Sequence, residues 1–310
     1  PAMITDTKRL FVRLLPAMGI NAVCDVGSMN GAEAMAFRDV LPAAALLTVE
    51  ALLTGRLDSQ WVEVEGIVRA VSVADGPWRL DLAAGERVVP TTIPNPEGRP
   101  LPEHLVDAAV RMRAVCGTEF NRRRQNLGVH LMCPGLDSIE VLRPAVSDPF
   151  LLAVRGTRSL FQFSTEEVRG HRVRVQGVVT LVQAGVGVYV ADGEGSLLVR
   201  TQPEVRLAPG DRADVVGFPA MADALPQLEH AVVRVLKAGE RPAARRVAPS
   251  ELGPELNAVL VSLEGVVRQV RSGDRAVDLE GADGDYVAAL VGADEEVLPR
   301  LERGTRVEVT

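Results

Sequence analysis

Three stretches of this chain carry the same pattern: WVEVEGIVRAV (61–71), RVRVQGVVTLV (172–182) and LVSLEGVVRQV (260–270). Each alternates apolar and polar residues, which gives a strand one half-buried face. Each holds a glycine at the same place, Gly66, Gly177 or Gly265. An interior glycine predicts a bulge or a sharp bend, as in strongly coiled barrel strands. Self-similarity at this spacing predicts a repeat architecture over residues 51–310.

Working outward, each repeat has further strands. A second marker recurs downstream: VRMRAVCG ends at Gly117, LAPGDRADVVG at Gly217, and LERGTRVEVT stops at Thr310 inside a strand. The last of these gives the expectation of a truncated third repeat. Between the markers lie two more strands: WRLDLAA and RVVPTTI, then GVGVYVAD and SLLVRTQ, then RAVDLEG and YVAALVG. Gly and Asp between the paired runs are turn chemistry. A fifth strand closes the repeat, LGVHLMC with IEVL in the first and LEHAVVRVL in the second. Five short strands, with a helix or loop (PEHLVDAA) before the fourth, suit an OB-type barrel. A small SH3-like barrel or sandwich is the alternative. The fold class expected is mainly β: tandem OB-type five-stranded barrels at 51–148, 149–242 and 243–310.

Residues 1–50 read differently. TKRLFVRLLPAMGI has mostly helical spacing, NAVCDVG is a short buried strand, AEAMAFRDVLP a helix, and AALLTVE a second strand ending at Glu50. This is a Rossmann-like β-turn-α-β unit, with Asp25, Gly27 and Gly31 at the strand-to-helix turn. Such a turn lets a ligand approach the backbone and a helix N-terminus. An acid at the end of the next strand can bond ribose hydroxyls. A structural turn without ligand is the plainer reading. The several further βα units that such a sheet needs do not follow, so this segment is incomplete.

VCDVGSMNGAEAMAFRDVLPAAALLTVEA resembles the opening of FkbM-type S-adenosylmethionine-dependent methyltransferases. Their first motif reads like V-I-D-V-G-A-N-x-G, with a strand ending in F-E about twenty residues on. The resemblance implies that Asp25, Gly27 and Gly31 shape the cofactor loop and Glu50 holds the ribose. Ser28 and Met29 depart from the commoner Ala-Asn. Residues 52–310 resemble an OB-fold repeat array in the extracytoplasmic sensory region of bacterial membrane-bound histidine kinases. LTGRLDSQWVEVEGIVRAV, VCGTEFNRRRQNLGVHLM, HRVRVQGVVTLVQ and APGDRADVVGFPA carry that likeness. It implies a non-catalytic sensory or binding role on the periplasmic side, with the membrane span and output kinase outside this chain. A methyltransferase start would instead be cytoplasmic. Two accounts of the junction stay open, a genuine fusion and a joining error near residues 50–52. The conflicting compartments and the abrupt change of pattern fit the second.

Composition narrows the partners. The formal net charge is −7 and aromatics are 4%, which argues against a general nucleic-acid binder and leaves few stacking platforms. Single-strand nucleic-acid binding by the OB repeats remains a further alternative. Arg122, Arg123 and Arg124 sit in the loop between strands four and five of the first repeat, often a ligand rim in OB folds. They are candidates to grip phosphate or a carboxylated glycan, with Asn121, Gln125 and Asn126 supplying neutral hydrogen bonds; a solvated loop is the plainer reading. Cys116 and Cys133 fall on neighbouring strands, so a disulfide and buried free thiols both fit, while Cys24 reads as core. His130 and His230 each follow the marker glycine by thirteen residues, but no second metal ligand accompanies them. Trp61 and Trp78 are expected to pack in the core, and Asp192, Glu194, Asp211 and Asp214 to sit solvated in turns and at strand edges. No nucleophile constellation and no metal spacing is present in the sequence. No cofactor is expected beyond S-adenosylmethionine under the methyltransferase reading.

Overall fold

The computed structural model describes residues 45–73, 76–95, 98–123, 125–161, 170–201, 206–222, 225–271, 273, 275–290 and 301–310. Asp25, Gly27, Gly31, Cys24 and Arg124 lie outside the described residues. The described residues separate into two compact units, divided between Ser147 and Asp148.

In the first unit, β1 (Ala45–Leu46) and the short helix α1 (Val49–Leu53) precede β2 (Trp61–Val73), β3 (Trp78–Ala84), β4 (Arg87–Ile93), β5 (Ala109–Phe120), β6 (Asn126–Met132) and β7 (Ile139–Arg143). The sheet runs β2-β3-β4-β6-β5, and β2 also pairs with β5, which closes the ring. The pairing of β4 with β6 is parallel and the other pairings in the ring are antiparallel. With strands numbered along the repeat this is 1-2-3-5-4-1, the OB connectivity. In the second unit, β8 (Val173–Gln183), β9 (Gly187–Ala191), β10 (Ser196–Thr201), β11 (Arg212–Ala222) and β12 (Leu225–Lys237) form a closed barrel in the same order, again with third and fifth strands parallel. The third repeat has β13 (Arg245–Arg246), β14 (Val261–Arg271), β15 (Ala276–Glu280), β16 (Asp285–Ala289) and β17 (Arg306–Val309), with β14 between β15 and β17. The fold is therefore mainly β and OB-type.

The repeated glycine explains how the first strand serves two neighbours. β2 pairs with β5 over 61–67 and with β3 over 67–73; β8 pairs with β11 over 173–178 and with β9 over 178–183. At the crossover the second strand's backbone lies so close that a Cβ would be displaced. A Cβ on Gly66 would stand 2.5 Å from the Ala83 carbonyl oxygen, and one on Gly177 would stand 2.5 Å from that of Ala191. Three residues on, the register slips in every repeat, leaving Arg69, Thr180 and Arg268 as bulge residues that increase the coil. Inward residues fill the barrels: Val64, Leu80, Leu82, Met112 and Leu131 are buried in the first, and Val175, Val190, Leu197, Val215 and Leu228 in the second.

A further element recurs that the sequence pattern does not announce. Ahead of each first strand lies a leader that pairs with it in parallel. Leu46 partners Glu63, Val154 partners Arg174 and Arg246 partners Ser262, all three residues before the repeated glycine. The same backbone bond recurs: Leu47 N–H to Glu63 O (2.9 Å), Arg155 N–H to Arg174 O (2.8 Å), Val247 N–H to Ser262 O (3.1 Å). In the first repeat the leader continues into α1, whose Val49 and Leu52 are buried in the barrel core. This corrects the expected strand ending at Glu50: the strand is Ala45–Leu46, and Glu50 lies in the first turn of α1. The expected boundary between 50 and 51 falls inside the leader. The reason is burial, since Val49 and Leu52 sit on one helix face at i, i+3 and seal the barrel, which a continued strand would not do.

If α1 is part of the first barrel, Leu52→Ala removes a fully buried side chain and destabilises that barrel by about 2–5 kcal/mol. Urea unfolding followed by Trp61 and Trp78 fluorescence reads this. An unchanged midpoint would assign residues 49–53 elsewhere.

Candidate functional site

The turn joining β5 to β6 carries the arginines singled out above. Phe120 pairs with Asn126 and Glu119 with Gly128, so Leu127 is an extra residue in a bulge. The turn is locked by its own amides. Asn121 N–H donates to Gln125 O (3.0 Å), its Nδ2 donates to Gln125 Oε1 (2.7 Å), and its Oδ1 accepts from the amides of Arg123 (2.9 Å) and Gln125 (3.0 Å). Asn126 Nδ2 donates to Leu53 O of α1 (2.9 Å), while its Oδ1 accepts from Gly128 N–H (2.9 Å). Asn121, Gln125 and Asn126 are thus occupied within the fold, correcting their expected role as ligand donors. What the turn presents outward is Arg122 and Arg123, both exposed, flanked by Phe120 (51% exposed) and Leu127 (67%). The corresponding turn of the second barrel reads MADALP (221–226) and has no basic residue.

Alternation alone would place Phe120 on a strand like its neighbours, so its exposure was not legible. It falls where the register slips between Glu119 and Phe120. The geometry offers two guanidiniums and an aromatic face on a hydrogen-bonded turn, which suits a ligand with anionic groups and flat apolar faces.

Glu50 has a different environment from the one the methyltransferase resemblance requires. Its own backbone amide, the Thr48 hydroxyl and the Arg87 charge hold its carboxyl below the usual range. Its Oε1 lies 3.5 Å from where a Cβ on Gly85 would stand, beside the β3–β4 turn. The other leaders are held at the equivalent turn. Thr157 donates from N–H (2.6 Å) and Oγ1 (2.8 Å) to Asp192, and Ser250 donates from N–H (3.4 Å) and Oγ to Asp283. Glu50 therefore stands in the first turn of α1, beside the β3–β4 turn, and not at the end of a strand.

Two aspartates expected to be solvated are structural. Asp192 also accepts from Glu194 N–H (2.9 Å) and Gly195 N–H (3.1 Å); burial alone would raise its carboxyl, but these bonds and those from Thr157 hold it lowered. Asp214 is fully buried on β11. Arg174 of β8 grips it with two bonds (2.8 and 2.9 Å), and Arg234 of β12 adds a third (3.0 Å). Arg174 also donates to Leu152 O (3.1 Å), and Arg234 lies 4.1 Å over the Phe150 ring, so the triad fixes the leader as well. Burial would raise Asp214, but the two guanidiniums outweigh it and the carboxyl sits below its ordinary range. In the first barrel the signs are reversed: Arg111 lies between Glu65 (2.6 Å) and Glu140 (3.4 Å), on an exposed face where such pairs contribute little.

Cys116 and Cys133 are free and buried, and burial pushes their thiols up to about 11 and about 12. Such thiols are inert. Trp78 packs in the core. The matched spacing of His130 and His230 does not survive in space. His130 faces Gly117 across β5–β6, the place that Gln227 takes opposite Ala220 in the second barrel, while His230 sits at a bulge with φ 48°. The structural counterpart of Gly217 is Ala114, since each lies opposite the residue four before its repeated glycine, Val173 and Val62. Among the described residues no group of three or more His, Cys, Asp or Glu side chains gathers to hold a metal ion, and no helix is long and apolar enough to cross a membrane.

No protein-family model matches the chain, and no curated protein matches it. Among solved structures it is similar to an OBody, AM3L09, bound to hen egg-white lysozyme. Identity is 18%, covering 34% of this chain and 99% of that one, with a TM-score of 0.24. It is similar also to the p204 HINb domain (13% identity, 56% and 95% covered, TM-score 0.23). A third is the Ifi202 HINa domain in complex with 20bp dsDNA (10% identity, 56% and 95% covered, TM-score 0.23). At these TM-scores it is the strand order that assigns the fold.

Asp214→Asn leaves Arg174 and Arg234 without their anion and destabilises the second barrel by about 1.5–3 kcal/mol. A carboxyl lowered in the folded state stabilises above its unfolded value and loses that contribution as pH falls through the folded one. Acid unfolding monitored by circular dichroism below about pH 4 is therefore shallower in Asp214→Asn and Asp192→Asn than in the parent. Equal acid slopes would remove both aspartates from the account.

Proposed function

We propose that this chain is a non-catalytic binding array of OB-type barrels, serving as the sensing region of a bacterial membrane signalling protein of the histidine kinase type. Its resemblance to the extracytoplasmic arrays of such kinases supports the setting. The repeated leader-and-barrel plan supports the array. The ligand contact is the β5–β6 turn of the first barrel, and one observation carries it: Arg122 and Arg123 stand exposed beside Phe120 on a turn closed by Asn121 and Gln125. Hydrogen bonds that close the turn before binding lower the entropy lost on association. A carboxylated or sulfated glycan supplies both the anions and the apolar sugar faces such a turn engages.

A second reading is single-stranded nucleic acid, favoured by the same Phe120 as a stacking face beside arginines. The net charge of −7 and the low aromatic content oppose it. A third is a methyltransferase, resting on the Asp25, Gly27 and Gly31 motif; its acid, Glu50, is engaged elsewhere.

Fluorescence anisotropy with a labelled heparin fragment and a labelled oligothymidine, at low salt, separates the first two. The expected result is binding of the glycan, weakened about tenfold or more by Arg122→Glu with Arg123→Glu. Preference for the oligothymidine would favour the second reading. Indifference of both probes to the double variant would overturn this site. Heat release on titrating S-adenosylmethionine would restore the third.

A further inference from the structure

His130 shares the β5–β6 hairpin with Arg122 and Arg123. It lies opposite Gly117, and Glu119 lies opposite Gly128, so the imidazole and the carboxylate are diagonal neighbours on one face of the hairpin. Both glycines shape that face. A Cβ on Gly117 would stand 2.5 Å from His130 Nε2 and 2.6 Å from Cε1, so the ring lies against the β5 backbone in the space a side chain would take. A Cβ on Gly128 would meet nothing within 4 Å, which leaves Glu119 open space on that side.

The ring nitrogen turned toward Glu119 is Nδ1. It is shut off from solvent and has no hydrogen-bond partner among the described residues. Glu119 Oε1 stands 3.8 Å from it, beyond hydrogen-bond reach but within that of an ion pair. A buried polar nitrogen left unpaired is costly. A neutral ring answers the carboxylate weakly at this separation. A protonated ring presents Nδ1–H and a full positive charge, which draws the exposed Glu119 side chain onto it.

That carboxylate matters to the turn. Glu119 is the only acidic residue between Ala109 and Met132, and it directly precedes Phe120. An anion so placed repels an anionic ligand approaching the arginines. The other charges on elements packed beside β6 have partners of their own. On β5, Arg111 is held by Glu65 and Arg113 by Glu63. On β4, Arg87 acts on Glu50 of α1. Ahead of β2, Asp58 accepts from the Thr118 amide.

We propose that proton uptake at His130 gates anion binding at the β5–β6 turn, a proposal that rests on this turn being the ligand contact. In mild acid the imidazolium takes Glu119 as its partner, the acid of the hairpin is neutralised, and Arg122 and Arg123 meet the ligand unopposed. Above neutrality the ring is uncharged and Glu119 repels the ligand. The ligand class that such a gate serves is a strong-acid polyanion, a sulfated glycan, whose own charge does not change over the range in which an imidazole titrates.

The experiment is fluorescence anisotropy with the labelled heparin fragment at fixed low salt from pH 8 to pH 5. It uses the parent chain, His130→Gln, Glu119→Gln and the Arg122→Glu, Arg123→Glu double variant, with folding checked by circular dichroism at each pH. The expected result is affinity that rises about three- to fivefold in the parent as pH falls. His130→Gln binds at the parent's pH 8 level throughout. Glu119→Gln already binds more tightly than the parent at pH 8 and gains less in acid. Binding that needs the two arginines but has the same pH dependence in the parent and His130→Gln overturns the gate and leaves the site standing. So does a Glu119→Gln variant no tighter than the parent at pH 8. Binding indifferent to the arginines at every pH overturns the site and the gate together.

Discussion

A strand that hydrogen-bonds to one neighbour along its first half and to another along its second half has to bend, and the bend needs room. Gly66 and Gly177 provide it. With the Ala83 and Ala191 carbonyl oxygens 2.5 Å from where a Cβ would stand, any other side chain would push the second strand away from the first. Without that approach the first strand could serve the second or the fourth but not both, and the ring would open. The bulges at Arg69 and Thr180 and the closure of both barrels follow from it.

Closure also fixes where the leader goes. Once strand one commits its second half to strand two, one edge of its first half is left for another partner, and the leader takes it at the same register in all three repeats. The residues involved, Leu46, Val154 and Arg246, include two aliphatic side chains and a cation, because the contact is made by backbone. What differs is the means of fastening: Val49 and Leu52 by burial in the first repeat, the Asp214 triad and Asp192 in the second, Asp283 in the third. The structural repeat therefore begins at the leader, and residues 45–53 belong with the first barrel.

The sequence made some of this legible and hid the rest for physical reasons. The strands, the glycine and the five-strand count were readable because alternation and turn residues report burial directly. The leader was not, since two paired residues and a single helical turn are too short for any periodicity to develop. LLTVE read as a strand because its residues are apolar, yet Glu50 turned out to lie in a helix. The apparent match of His130 with His230 was a coincidence of counting, because the marker glycines Gly117 and Gly217 occupy non-equivalent rungs. At the candidate site the charge of Arg122 and Arg123 was visible at once. The exposure of Phe120 and Leu127 depended on a register slip, and the engagement of Asn121 with Gln125 on turn geometry. Asp214 looked like a turn residue among others; only its two arginine partners from other strands, at sequence separations of 40 and 20, reveal it as buried.

The binding role proposed for the first barrel depends on its leader being part of that barrel, because Asn126 ties the arginine-bearing turn to α1 through Leu53. The most direct measurement is native-state hydrogen exchange of the leader amides that bond to strand one, those of Leu47, Arg155 and Val247. The account predicts that each exchanges as slowly as the strand-one amides of its own repeat, Leu47 together with β2 above all. Exchange of Leu47 at the rate of an unstructured chain while β2 stays protected would contradict it.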